Sequence, residues 1–548
     1  MTGSAASRGR GTASRFETAL RASHHEGLAI TKRKNMETSV YLGIISGDRR
    51  RDHAEVTGRA ARIAGGLHRL GVKQGDSVCI LMRNDVAFIE AAYAAMRLGA
   101  YGVPVNWHFK PEEINYILRD SGTAVLVGHP DLLHQLRGAI PPDITVLSVP
   151  TPPEILRTYP IDRDLLEKPD FAVDFDAWLA DQAPYDGPQV PQPQNMIYTS
   201  GTTGNPKGVR RSAPTPEQVI SAERLRALIY GLKPGVRALL PGPLYHSAPN
   251  SFGLRAGRLG GALVLMPRFD AEEFLRLVEA EKIDTLFMVP TMFVRLMKLP
   301  QSVREKYDIS SLRHVVHAAA PCPADVKRAM LDWWGPVISE YYGSTEASAL
   351  TYATAADSLK RPGTVGKILD GVELRFLGDH GEVLPQGEIG EIYSRTSDTP
   401  DFTYHNKPDK RAEVERDGFI TSGDVGYIDP DGYVFLCDRK RDMVISGGVN
   451  IHPAEIEAVL HAVPGVHDCA VFGIPDAEFG EALLAVVEPQ AGVALDVADI
   501  RWRLKASLAD YKVPKHIEIA QNLPREDSGK IFKRRLRDPY WERAGRRI

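Results

Sequence analysis

The sequence predicts an α/β protein, with a large N-terminal domain of parallel α/β sheets, a small β-rich subdomain and a small α+β C-terminal domain. Three observations carry this. From about residue 55, short apolar runs alternate with helical-period segments at strand–helix–strand spacing. Beyond residue 370 the period shortens to alternation, with Gly at turn positions. From residue 441 the chain runs a new cycle of strand and helix. At ~100–200 residues per domain, 548 residues exceed one ordinary core.

The elements follow in order. Arg59–Leu70 spaces Ile63, Leu67 and Leu70 on one helical face, and Gly71 ends it. Ser77–Met82 is a short apolar strand, Ala87–Leu98 a helix stopped by Gly99, and Tyr101–Val105 the next strand. Residues 183–195 (APYDGPQVPQPQN) are Pro-rich and polar, a surface connection. A second α/β stretch has a helix at Glu273–Glu281, a strand at Thr285–Val289 and a helix from Thr291. VELRFLGDHGEVLPQGEIGEIYSR alternates and turns, which predicts the β-rich subdomain. DCAVFGI, ALLAVVEP and ADIRWRLKASL give the last domain two strands and a helix. The domain reading is a basic leader at 1–35, a main domain at 36–440 and a C-terminal domain at 441–548.

Composition excludes several classes. Charged residues at 25% and apolar residues at 43% are globular values. A net charge of −3 does not predict a nucleic-acid partner. No run reaches the ~18 apolar residues of a membrane helix. The four Cys, at 79, 322, 437 and 469, form no CxxC pair, so a reducing cytoplasm is expected. Seven Lys/Arg against two acids give residues 1–35 a charge of +5, so the rest carries −8. That leader reads as a disordered extension, an upstream start with Met36 as the true first residue, or an organellar transit peptide.

Gly plus Pro make up about 16% of the chain, against a typical ~12%, and part of that excess sits in one loop. In MIYTSGTTGNPKGV an apolar strand, Met196–Tyr198, runs into Thr199, Ser200, Gly201, Thr202, Thr203, Gly204, Asn205, Pro206, Lys207 and Gly208. Glycines let backbone N–H groups approach an anion, four hydroxyls add donors, and Lys207 supplies a point charge. This is a polyphosphate cradle. It is not a Walker A loop, since no GK is followed by Ser or Thr, and it contains no GxGxxG turn. EYYGSTE, residues 340–346, is suited to a nucleotide. Tyr342 offers a stacking face, Gly343 close approach, Thr345 a donor for an α-phosphate, and Glu346 a hard oxygen for Mg²⁺.

The decapeptide Thr199–Gly208 resembles the signature of the adenylate-forming superfamily, the AMP-dependent synthetases and ligases with a firefly-luciferase-like fold. Further motifs recur in that family's order over roughly residues 50–538. The resemblance implies the following assignments. Ala319, in HAAAPCP, lies with Ala320 against adenine and substrate. Asp424, in TSGD, accepts the ribose hydroxyls, and Arg439 is a second ribose and phosphate contact. Arg441 falls at the hinge, where the family commonly has Lys or Asp. Lys530, in PREDSGK, enters the site for the first half-reaction. His246, in PLYHSAP, gates the substrate near carboxylate and phosphate. The C-terminal domain is then mobile, presenting Lys530 for one step and the face of Ser446, Gly447 and Gly448 to the thiol in the next.

The implied reaction is carboxylate plus ATP to acyl-AMP and pyrophosphate, then thiolysis with release of AMP. ATP, Mg²⁺, coenzyme A and a small carboxylic acid are the expected cofactors and partners. No Asp-Ser carrier motif follows position 530, so free coenzyme A is expected; an acyl-AMP ligase feeding a separate carrier protein is the alternative. A light-emitting monooxygenase and an inactive nucleotide-binding scaffold are further readings. The pocket should be lined from His246–Phe252, Met288–Phe293, His317–Ala320 and Gly343–Ala347. Those stretches hold no charge except Glu346, which predicts an apolar acid: fatty, aryl or polycyclic. HAAAPCP and WWGPVI resemble bacterial fatty-acyl-CoA ligases.

Overall fold

The computed structural model describes residues 41–543, apart from 200–205, 321, 379, 440–441, 447–448, 477–478 and 527–528. Two sheets with parallel strands build the larger part. The smaller is wholly parallel, in the order Tyr101–Pro104, Ser77–Leu81, Thr123–Gly128, Thr145–Ser148, Val173–Asp174. Every residue of Ser77–Leu81 is buried, as a strand covered on both faces requires.

The large sheet has 14 strands. Six run parallel: Gly43–Ser46, Ala262–Leu265, Arg237–Leu240, Thr285–Met288, His314–His317 and Ile338–Ser344. The β-rich segment expected as a subdomain forms, but it continues this sheet. Ile338–Ser344 pairs antiparallel with Ser348–Ala353, and then come Thr364–Ile368, Tyr433–Arg439, Phe419–Ile428, Gly390–Thr396 and Val372–Leu377. Thr364–Ile368 has a partner on each side, so the hydrogen-bond ladder is unbroken across the change of direction.

The helices between the two parallel regions start where their caps lie. Asp52 accepts from Glu55 N at 2.7 Å and begins His53–Arg69, six residues before the apolar period becomes legible. Asp85 caps Val86–Arg97. Ile63 and Leu67 of the first helix and Phe88 and Ile89 of the second are fully buried, in one cluster with Ile80, Leu240 and Leu263 from both sheets. Each such side chain is worth ~1.5–3 kcal/mol. Glu90 faces this interior with no exposure, and Arg51 (2.5 Å) and Arg59 (3.0 Å) neutralise it. Residues 183–195 are mostly exposed, as their composition predicts. No described helix is long and apolar enough to cross a membrane.

Ile197–Thr199, Lys207–Arg211 and Phe402–Tyr404 form a three-stranded antiparallel sheet. Near the C-terminus Val466–Asp476 and Gly480–Pro489 pair along their length, joined by Val444–Ser446, Val449–Ile451 and His516–Ile519. Their core holds Val471, Ala485, Val487, Ile456 and Leu504. Lys298 Nζ donates to His467 O at 2.7 Å and so ties this sheet to the larger part.

Candidate active site

Four neighbouring parallel strands, Arg237–Leu240, Thr285–Met288, His314–His317 and Ile338–Ser344, send the chain from their carboxyl ends into a cleft of about 2770 Å³. This is where open α/β sheets take ligands. The first strand leads to His246, which precedes the helix Ser247–Ala256. The third leads to Ala318, Ala319 and Ala320, and the fourth to Thr345 and Glu346; all five line the cleft. His317, expected in the same wall, is fully buried behind it, because the last residue of the strand points into the sheet packing.

Tyr342 and Asp424 are brought together. The Tyr342 hydroxyl donates to Asp424 Oδ2 at 2.9 Å, and both residues are buried. Arg439 stands opposite Asp424 in the antiparallel ladder. A Cβ on Gly343 would sit 1.9 Å from Ser348 O, so only glycine fits the bulge there. Ala319 has φ +75° and faces the cleft. The left-handed region costs an L-residue ~1–2 kcal/mol, partly offset by the extra freedom glycine has when unfolded. Ala319→Gly is therefore expected to stabilise the protein by about 0.5–1 kcal/mol, read as a higher denaturant midpoint at constant slope.

The cradle's two ends are described: Thr199 and Lys207. Ser200, Gly201, Thr202, Thr203 and Gly204 lie outside the described residues, as do Arg441, Gly447 and Gly448. Glu346 Oε1 accepts from the Tyr404 hydroxyl at 3.0 Å and from Thr199 Oγ1 at 3.4 Å. Lys207 Nζ lies 4.2 Å from the centroid of the Tyr404 ring. Burial draws the Lys207 ammonium below its ordinary pKa, against the raising effect of Glu346. Arg211 ends the same strand, buried. It donates to Thr345 O at 3.0 Å, to Pro400 O at 2.6 Å and to Glu346 O, and so fixes the turn that carries both residues. Burial lowers its pKa to about 10 despite Glu346 and Asp401. Glu346 is a half-buried hard-oxygen anion on the cleft wall, a donor type that fits Mg²⁺.

Lys530 reaches the cleft wall on a tight loop. Glu526 N donates to Lys530 O at 2.9 Å, Gly529 N to Glu526 O at 2.8 Å, and Phe532 N to Pro524 O at 2.8 Å. Gly529 sits at φ +87°, a conformation that favours glycine. Arg525 anchors the loop to Asp468 and Glu488. Glu526 Oε2 lies 2.6 Å from His246 Nε2. Burial opposes the charge of Glu526, but His246, Lys530 and His108 together bring its pKa below the ordinary value. Ser446 ends the strand Val444–Ser446 and is not among the described residues of the cleft wall.

Arg211 and Tyr404 belong to no motif, Glu526 lies within PREDSGK but was given no role, and all three have partners remote in sequence, so the sequence reading missed them. Outside the four stretches expected to line the pocket, Glu223, Arg226 and Arg255 also line the cleft, from the helices Pro216–Tyr230 and Ser247–Ala256.

A buried Tyr–Asp pair, Thr345 and Glu346, and a lysine on a neighbouring loop, gathered in a cleft at the carboxyl ends of parallel strands, fit an enzyme that works on a nucleotide. The chain belongs to the AMP-binding enzyme family: the family's main model matches residues 30–399, and the AMP-binding enzyme C-terminal domain matches residues 455–530. It is 36% identical over 488 residues to a feruloyl-CoA synthase of an Amycolatopsis species, covering 88% of this chain and 93% of that one. It is 31% identical over 501 residues to the long-chain-fatty-acid–CoA ligase FadD13 of Mycobacterium tuberculosis, covering 90% and 94%. Among solved structures it resembles the anthranilate CoA ligase AuaEII in complex with anthranoyl-AMP, with a TM-score of 0.78 at 26% identity, covering 92% of this chain and 95% of that one.

Proposed function

We propose that the protein is an ATP-dependent acid–CoA ligase that activates an apolar carboxylic acid through its acyl-adenylate. The carrying observation is that Tyr342, Asp424, Thr345, Glu346, His246 and Lys530 share one cleft. The relatives' names support coenzyme A as acceptor. In this reading Tyr342, Gly343 and Ala319 hold adenine, Asp424 and Arg439 the ribose, and Thr199 through Gly204 with Lys207 the β- and γ-phosphates.

The acid's carboxylate attacks the α-phosphorus in line, and the bond to pyrophosphate breaks. Charge gathers on the α-phosphoryl oxygens, where Thr345 donates and Lys530 places its ammonium. Glu346 would hold Mg²⁺, which shields phosphate charge when bound. His246 stands beside the entering carboxylate, and Glu526 orients it. Arg441 is the hinge between a main domain at 36–440 and a mobile one at 441–548. After rotation the Ser446–Gly448 face guides coenzyme A, whose thiolate attacks the acyl carbon and expels AMP.

The test is acid-dependent exchange of labelled pyrophosphate into ATP over a panel of carboxylates, followed by coenzyme A addition. Exchange with at least one acid and stoichiometric AMP and thioester are expected. No exchange with any acid overturns the reading; exchange without free thioester, but with transfer to a carrier protein, overturns the choice of acceptor.

A further inference from the structure

Three metal-ligating side chains converge near the C-terminus, outside every motif read from the sequence. His461 ends the helix Pro453–His461, and Asp468 and Cys469 lie near the start of the strand Val466–Asp476. One imidazole nitrogen, one carboxylate oxygen and the thiol sulfur all lie within 4.8 Å of one another. Among the described residues no other three His, Cys, Asp or Glu side chains meet in this way. All three line the cleft, so an ion can reach them from solvent.

The spacing suits a shared ion better than a hydrogen bond. His461 Nε2 is 3.5 Å from Asp468 Oδ1, beyond a normal N–H···O bond. Tetrahedral zinc, with bonds of about 2.0–2.3 Å to N, O and S, sets its ligand atoms about 3.3–3.7 Å apart. The Cys469 thiol, only 2% exposed, has no closer acceptor than Glu457 O at 3.7 Å. Cys469 N donates to Asp468 Oδ1 at 2.8 Å and orients it, as outer-shell bonds orient metal ligands. The helix that ends at His461 points its negative pole at the group, which favours a cation. The surrounding charges balance, with Lys533, Arg525 and Lys298 against Glu457, Asp468 and Glu488, so a divalent ion meets no net repulsion. Burial, with Glu457 and Asp468 beside it, pushes the Cys469 thiol well above its usual pKa, so a metal must displace its proton.

We propose that His461 Nε2, Asp468 Oδ1 and Cys469 Sγ form a binding site for one Zn²⁺, with water in the fourth position. On binding, the thiol gives its proton to solvent and the sulfur supplies both electrons of the new bond. A donor set of N, O and S selects zinc over Mg²⁺, which prefers hard oxygen. The ion also acts on the loop that carries Lys530. Asp468 Oδ2 holds Arg525, and Arg525 Nη1 reaches Gly529 O at 3.3 Å. A dication on Oδ1 repels that guanidinium and draws off the carboxylate charge that holds it, so zinc loosens the loop. This consequence rests on the ligase reading; the site does not.

The full-length protein, stripped by a chelator, is titrated with Co²⁺ alone and then with Zn²⁺. One equivalent of Co²⁺ should give a thiolate-to-cobalt charge-transfer absorption, which Zn²⁺ but not excess Mg²⁺ removes. Cys469→Ser should lack the band and Cys322→Ser keep it. His461→Ala, at an exposed residue, should weaken Zn²⁺ binding about tenfold or more. Denaturant midpoints check that each variant is folded. With excess Mg²⁺ and ATP, bound Zn²⁺ should slow acid-dependent pyrophosphate exchange about tenfold or more in wild type and leave His461→Ala unaffected. No band, a band kept by Cys469→Ser, or Zn²⁺ affinity unaltered in His461→Ala overturns the site. Exchange slowed equally in wild type and His461→Ala, or in neither, overturns the coupling to the loop. No exchange without zinc overturns the ligase reading and leaves the site standing.

Discussion

Replacing Lys530 with alanine is expected to lower acid-dependent pyrophosphate exchange by about 10²–10³-fold, the usual cost of one preorganised donor at a developing charge. Thioester formation from preformed acyl-AMP should stay within about threefold of wild type, because in the proposed cycle this loop has left the site by then. The loop's internal bonds run through the backbone of Glu526, Gly529 and Phe532, so the substitution leaves its turn in place. Single-turnover measurements of the two half-reactions check the split. Equal losses in both would remove Lys530 from its assigned step; unchanged exchange would remove it from the chemistry.

The largest stability effect is expected beneath the cleft. Lys327 Nζ binds Glu340 Oε2, and both side chains are nearly inaccessible, at 9% and 6%. His317 Nε2 lies 3.7 Å from the same carboxylate, and neither ring nitrogen has a hydrogen-bond partner. Burial and the Lys327 charge hold the imidazole well below its ordinary pKa, while burial raises that of Glu340 despite Lys327. Lys327→Met strands the Glu340 charge and should cost about 3–5 kcal/mol. Lys327→Met/Glu340→Gln should recover much of that, because no uncompensated charge remains. The pH dependence has a definite sign. Without Lys327, folded Glu340, already raised by burial, binds its proton more tightly than in the unfolded chain. The native state then holds more protons, and the penalty shrinks as pH falls through that raised value. Denaturant melts of wild type and both variants at pH 5.5 and 7.5 check it. A Lys327→Met penalty that grows on acidification would contradict the assignment.

The residues proposed for the nucleotide could be named from the sequence because a run of Gly, Ser and Thr, or a Tyr-Gly-x-Thr-Glu turn, is written in a few adjacent residues. What supports those motifs could not. Tyr404 is 58 residues from Glu346, and Glu526 is 280 from His246; no local pattern encodes such pairs. The charged side chains Glu223 and Arg226 escaped for the same reason, since the helix Pro216–Tyr230 shows no motif. The parallel strands were readable as short apolar runs, because burial on both faces removes alternation. The fusion of the β-rich segment to the large sheet was not, because it depends on which edge of Thr364–Ile368 meets Tyr433–Arg439.

The first described strand, Gly43–Ser46, takes its parallel partner from Ala262–Leu265, and His53 bonds Gly261 O across a separation of 208 residues. During synthesis at ~5–20 residues per second, that partner emerges from the ribosome roughly 10–40 s after the strand does. For that interval the nascent chain carries an apolar strand with an open edge, the template on which unrelated chains pair. Only arrival of Leu265 lets it close, so a chain stalled before that point is expected to be a substrate for chaperones and prone to aggregate, however well its first helices have formed.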